Sequence, residues 1–249
     1  FVNFIQLFSM IGSIIIVSLI SLKLGCKNKN VIFGLIFCIS IPMGILQSNS
    51  SQTDYLVTMW IVICIYFIIS FIYENKLRHI IGISISLGLA IFTKPTAYIF
   101  LFPFCLWLLI DVLKFKREKF KFLFIIPIIF IFINFGTFFK NLEFFSNPLG
   151  SNVGITNEVI SLKIILSNFI RNLSLNLTFP SVEMNSFVRN IVINLHEIID
   201  FKIDDQVNTY STKGRYGGDY FIYFSLFENT ASNTFHFLII LLVSISSLY

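Results

Sequence analysis

Apolar runs of roughly span length alternate with short polar breaks along the first half of this chain. The runs cover residues 4–22, 31–46, 55–73, 80–92, 97–113 and 122–139, and another opens at Thr234 and continues to the end. A helix that crosses a bilayer needs about 20 mostly apolar residues. The pattern therefore predicts an all-α polytopic membrane protein. The fourth run is short. It and the fifth are expected to be two short helices joined at TKPT, where Pro95 stops the helix. Three parts follow: residues 1–139 as a transmembrane bundle of about six spans, 140–233 as an extracytoplasmic loop of amphipathic helices, and 234–249 as the start of a further transmembrane helix.

Within the long polar part, SLKIILSNFIRNLSLNL (residues 161–177) repeats apolar positions at three- and four-residue spacing. It reads as an amphipathic helix lying on the membrane or against the bundle. NSFVRNIVINLHEII reads as a second one. RYGGDY, residues 215–220, is a Gly-Gly turn, and the Asn-Pro-Gly order of FFSNPLG is turn chemistry as well.

Composition agrees with a membrane chain. Of 249 residues, 56% are hydrophobic and 12% charged, with a mean hydropathy of +0.84. Soluble domains carry about 25% charged residues. The net charge of +5 comes from short basic loops beside apolar runs, which is a topology signal rather than nucleic-acid binding. Lys23, Lys27 and Lys29 follow the first run, Lys76 and Arg78 the third, and Lys114, Lys116, Arg117, Lys119 and Lys121 the fifth. The loops between are poor in basic residues. The positive-inside rule then puts the basic loops in the cytoplasm and Asp54, Lys94 and the long polar part on the outer side. Cys26, Cys38, Cys64 and Cys105 form no CxxC pair, so neither a metal knuckle nor disulfides are expected. The chain starts without Met and stops inside an apolar run, and is read as truncated at both ends.

Few residues could carry chemistry. Asp54 sits in SSQTDYL, a polar island between two apolar runs. An ionised Asp costs about 2.5–3.5 kcal/mol at a helix centre and less at an interface. It can cap the next helix, as can Thr53, and it can also accept a proton or orient a sugar or metal; the two roles are compatible. Lys94 in FTKPTAY is either a snorkelling helix-end lysine or a cation for a phosphate. Glu228, Asn233 and His236 enter the last run together in FENTASNTFHF, at spacings that let a helix present all three on one side. Their structural alternative is an interfacial cap. His196 and Glu197 are adjacent, but no HExxH follows, so a zinc-protease reading fails. No Walker loop, GxSxG or dinucleotide fingerprint is present. Any donor is therefore expected to be lipid-borne.

Several segments in order resemble bacterial GT-C superfamily membrane glycosyltransferases, and glycosyltransferase family 39 in particular, the protein O-mannosyltransferase and aminoarabinose-transferase clan. They are FIQLFSMIGS, IPMGILQSNSSQTDYLV, GLAIFTKPTAYIFLFP, FFSNPLG, ILSNFIRNLSLNL and FENTASNTFHFLI. Similar strings in such proteins read TQxD, TKGTA, GNPLG and HEDxAGNPLH. The resemblance implies a GT-C-type helix bundle that moves a sugar from a polyprenyl-phosphate donor to a glycan, lipid or protein acceptor on the outer face of the bacterial inner membrane. It implies Asp54 and Glu228 as catalytic acids, with Lys94, Asn233, His236 and Gln52 binding substrate. A divalent cation is left open. The family's early acid would lie before Phe1, which casts Asp54 as a supporting acid, and Pro95, Phe227, Asn229, Ser232 and Thr234 depart from the typical forms. A multi-span transporter or lipid flippase, and a non-catalytic component of glycan assembly, are the alternatives. Against transport, charges cluster at the outer ends of the runs rather than at the midplane.

Overall fold

In the computed structural model, residues 2–150, 161–204, 220–227 and 230–247 are described. Every regular element among them is helical. The chain divides into two compact units, residues 1–40 with 44–152, and residues 41–43 with 153–249.

The first unit is a helix bundle. Helices α1 (Val2–Lys23), α2 (Asn28–Ile39), α3 (Pro42–Gln47), α4 (Asp54–Glu74), α5 (Leu77–Thr93), α6 (Ala97–Phe115) and α7 (Ile125–Phe145) follow in order, with a 3₁₀ segment, Arg117–Phe124, before α7. α3 begins within the three residues grouped with the second unit. Four helical stretches are long and apolar enough to cross a membrane: Asn3–Lys23, Asp54–Glu74, Ala97–Phe115 and Lys119–Phe145. α2, α5 and the final helix are apolar but shorter.

The expected second span is not one helix. α2 ends at Ile39 and α3 restarts at Pro42. Proline has no N–H to give and its fixed φ suits a first helical position, so Pro42 restarts a helix where it could not continue one. The break at TKPT falls as read: α5 stops at Thr93 and α6 starts at Ala97. α7 ends at Ser146 in the left-handed region, φ 53°. The FFSNPLG turn follows, with Asn147 Oδ1 accepting from Leu149 N at 3.0 Å and Asn141 Nδ2 donating to Pro148 O at 3.1 Å.

α4 is the central helix of this unit, packing against α1, α5 and α6, while α5 also packs on α7. The core gathers Val57, Cys64, Ile68 and Phe71 of α4, Ile80, Ile83, Ala90 and Ile91 of α5, and Ala97, Leu101, Leu108 and Val112 of α6. Burial in a membrane gains little from hydrophobicity itself, so close contact and buried hydrogen bonds hold such helices together. Gly88 illustrates both. A Cβ there would lie 2.7 Å from Ile133 Cδ1 of α7, so glycine permits the approach. The next residue of α7, the buried Asn134, donates through Nδ2 to Gly88 O at 3.1 Å. The outward faces remain apolar and exposed, as at Phe132 and Ile99, which is what a lipid-facing surface requires.

The second unit contains α8 (Leu162–Ser174), α9 (Val182–Ile198) and α10 (Thr234–Ser246). Both amphipathic helices form as read, each started by a serine: Ser161 Oγ accepts from Ile164 N at 3.3 Å and Ser181 Oγ from Met184 N at 3.2 Å. The buried face of α8 is Ile164, Ser167, Arg171 and Ser174, and that of α9 is Asn185, Val188, Val192 and His196. Polar members of this interior are paired. Ser167 Oγ lies 2.9 Å from His196 Nε2, and His196 Nδ1 lies 2.8 Å from Val192 O. A carbonyl can only accept, so Nδ1 donates to it, and in the neutral ring Nε2 then accepts from the serine hydroxyl. Ser174 Oγ is hydrogen-bonded to the Tyr220 hydroxyl, and burial pushes that phenol's pKa up. Of RYGGDY, only Tyr220 falls within the described residues.

Candidate functional site

The two ends of the first unit carry different charge groups. At one end lie the start of α1, the start of α4 and the end of α5. There Lys94 Nζ stands 2.5 Å from Asp54 Oδ1. Their side chains keep 37% and 29% exposure, so the pair is reachable from outside the protein yet shielded from bulk water. An ion pair so placed is stronger than one at a fully wetted surface.

Local structure fixes both partners. Asp54 is the first residue of α4. Thr53, the residue before it, makes no side-chain cap bond, so the simple capping role is not taken up by that hydroxyl. Lys94 caps the end of α5 in an extended conformation, with its N–H bonded to Ala90 O at 3.0 Å. Pro95 prevents the helix from continuing and turns the lysine toward α4.

Gln6 of α1 holds the loop from behind. It is 2% exposed. Its Nε2 donates to Gln52 O, and its Oε1 accepts from Tyr55 N at 3.0 Å. One amide therefore brackets Asp54 on both sides and satisfies backbone groups that lipid cannot. Gln52 itself takes part through its backbone: its O meets Gln6, and its N donates to Ser50 Oγ at 3.1 Å. Gln6 was not among the residues singled out from sequence. The available signal was an amide in the middle of the apolar run FIQLF, because uncompensated polar groups there are costly.

At the other end of the unit, α1, α4 and α6 finish together. Lys23 Nζ lies 2.5 Å from Glu74 Oε1, and Lys116 Nζ donates to Ile72 O at 2.6 Å and lies 2.9 Å from Asp111 Oδ2. The basic loops thus gather at one end, and Asp54 with Lys94 at the opposite one.

The remaining candidates sit in the second unit or outside the described residues. Asn233 precedes α10, and its Oδ1 accepts from Met43 N at 3.2 Å. His236 is half-buried in the first turn of α10. Glu228 lies outside the described residues. Among the described residues no three His, Cys, Asp or Glu side chains come close enough to hold a metal ion.

The first unit also carries an apolar groove of about 310 Å³, lined by Leu87, Ile91, Tyr98, Leu101, Phe102 and Phe130. Ile91 lies three residues before Lys94 in the chain and Tyr98 four after it.

Fold and site together define an all-helical multi-pass membrane protein with a charged pair at one end of its bundle. Residues 1–136, more than half of the chain, match the family model of dolichyl-phosphate-mannose-protein mannosyltransferases, and the chain belongs to that family. It is a membrane glycosyltransferase of the GT-C type. The match covers Gln6, Gln52, Asp54 and Lys94 and ends before Asn233 and His236. No curated protein and no solved structure matches the chain significantly.

Proposed function

We propose that this glycosyltransferase takes its sugar from a polyprenyl-phosphate carrier and gives it to a hydroxyl-bearing acceptor on the outer face of the bacterial inner membrane. The observation that carries the reading is the Lys94–Asp54 pair, lying within the family-matched part, with an apolar groove lined by Ile91 and Tyr98 close to Lys94 in the chain. A lipid carrier brings an anionic phosphate and an apolar chain. Lys94 suits the first and the groove the second. The distribution of lysine and arginine supports an outer position, since Lys23, Lys76, Arg78 and Lys116 gather at the end away from Asp54.

In transfer, the acceptor oxygen forms a bond to the sugar's anomeric carbon while the bond from that carbon to the phosphate oxygen breaks. Negative charge then develops on the leaving phosphate. A lysine ammonium has three N–H donors and no acceptor, so Lys94 can neutralise that charge as it appears. When Lys94 turns to the phosphate, the Asp54 carboxylate is left to orient the acceptor hydroxyl or receive its proton. Glu228 remains a proposed catalytic acid, and Gln52, Asn233 and His236 remain proposed substrate-binding residues.

The test is sugar transfer by the full-length protein, with Asp54→Ala and Lys94→Ala compared with wild type on a polyprenyl-phosphate sugar. Loss of transfer with retained folding supports the reading. Full activity in both variants removes these residues from the site. Vesicle uptake of a solute without sugar transfer points instead to transport.

A further inference from the structure

At the end of α4 away from Asp54, three permanent cations crowd one carboxylate. Lys23 Nζ lies 2.5 Å from Glu74 Oε1, while Lys76 Nζ at 3.0 Å and Arg78 Nη2 at 3.2 Å share Oε2. His79 Nε2 is also 3.2 Å from Oε2. The described residues place no second carboxylate within ion-pair reach of these cations, so two positive charges stand without a counter-charge. Most of their hydrogen-bonding capacity is unspent, since each ammonium has three donors and a guanidinium five. Glu74 fixes the cations in place but is too little charge to satisfy them.

Their surroundings indicate what kind of anion belongs there. Arg78 and Lys76 are 68% and 55% exposed. Exposed apolar side chains stand among them: Tyr73 and Leu77 on either side of Glu74, and Leu22 beside Lys23. A soluble anion would use the charges and leave those side chains uncovered. A lipid with an anionic headgroup uses both. α4 has 21 residues, so this cluster lies about 30 Å along the helix from Asp54. It is a separate place from the proposed transfer site.

We infer that Lys23, Lys76 and Arg78 hold the phosphate headgroup of an anionic phospholipid, with Glu74 positioning them. Juxtamembrane lysines and arginines attract anionic lipid at about 1 kcal/mol each, or about fivefold in affinity. Here the neighbouring Glu74 restrains that attraction.

Native mass spectrometry of the full chain, released from micelles containing phosphatidylglycerol or phosphatidylcholine, tests this. The expected result is selective retention of phosphatidylglycerol. The double variant Lys76→Gln with Arg78→Gln, both exposed and tolerant of change, should lower its affinity by about 25-fold, fivefold per charge. Glu74→Gln keeps an oxygen that the cations can bond to but removes the competing negative charge, so it should raise the affinity. Lys140→Gln with Lys163→Gln removes equal charge elsewhere and should change nothing. Equal retention of the two lipids, or equal loss in the control variant, overturns the inference. Release of bound phosphatidylglycerol by millimolar inorganic phosphate also overturns it, since that marks a site for soluble anions.

Discussion

Lys94 Nζ lies 2.5 Å from Asp54 Oδ1 although the two residues are 40 positions apart in the chain. The contact joins the end of one apolar helix to the start of another. Removing one partner strands a half-shielded charge. In a double-mutant cycle with Lys94→Ala and Asp54→Ala, the coupling energy should be about 1 kcal/mol, the upper end for partly exposed pairs, and should shrink at high salt. If Lys94 also meets the developing charge, Lys94→Ala should lower transfer by about 10²-fold or more. Thermal unfolding and transfer assays on the same preparations separate the two effects.

Gln6 makes two backbone hydrogen bonds inside the bundle. Gln6→Ala leaves both Gln52 O and Tyr55 N to find other partners, at a cost of about 2 kcal/mol. Transfer should fall with it, because the loop carrying Asp54 loses its support. Gln6→Glu keeps an acceptor for Tyr55 N but turns an oxygen toward Gln52 O, so it should not rescue. Unchanged unfolding and unchanged transfer in Gln6→Ala would remove it as a positioning residue.

Much of the bundle could be read directly from the chain. Long apolar runs have one stable solution in lipid, and the polar TKPT with its proline marks the break between two of them, whereas Pro103 in an apolar stretch sits inside α6 without ending it. The break at Pro42 was less visible, since the run from Val31 to Leu46 is continuously apolar and hydropathy does not register a missing N–H. Asp54 and Lys94 stood out because charges near lipid are few. Their pairing did not, because it depends on how α4 and α5 lie together. Gln6 escaped for a related reason: an amide is uncharged, and its value comes from two backbone atoms that only the fold brings to it.

Gly88 tolerates little added volume. Gly88→Val should destabilise the bundle by about 1–3 kcal/mol, because its Cβ would press on Ile133. Ile133→Ala in the same chain should return part of that loss by clearing the space. Detergent-resistance melting curves of the single and double variants check it. An additive double variant would mean that the two side chains do not compete for room.

In the second unit, Ser167→Ala leaves the buried His196 Nε2 without its donor and should cost about 1–3 kcal/mol. Pairing it with His196→Leu removes the stranded acceptor and should cost less than the sum of the two single changes. Unfolding followed by far-UV circular dichroism reports the comparison.

Asp200 offers a pH signature. Its carboxylate lies 2.9 Å from Lys163 Nζ, whose hydrogen bond and positive charge hold the carboxyl pKa below its ordinary value. A depressed folded-state pKa means the contribution is complete above the unfolded value and fades as pH falls through the folded one. Asp200 is 94% exposed, so the effect should be slight and screened by salt. Asp200→Asn should flatten the acid limb of the stability curve at low ionic strength and leave it unchanged near 1 M salt. An equal acid limb in both proteins assigns that limb to other carboxylates.

The seam between α5 and α7 bears on how a substrate is received. With Gly88 pressed to Ile133 and its carbonyl held by Asn134, α5 cannot slide or roll without breaking a hydrogen bond that lipid will not replace. Lys94, at the tip of α5, is therefore mounted on a stationary mast. On the proposed role, exchange of Asp54 for a phosphate would fall to rotations of the Lys94 side chain, a change of a few torsions with no displacement of a helix.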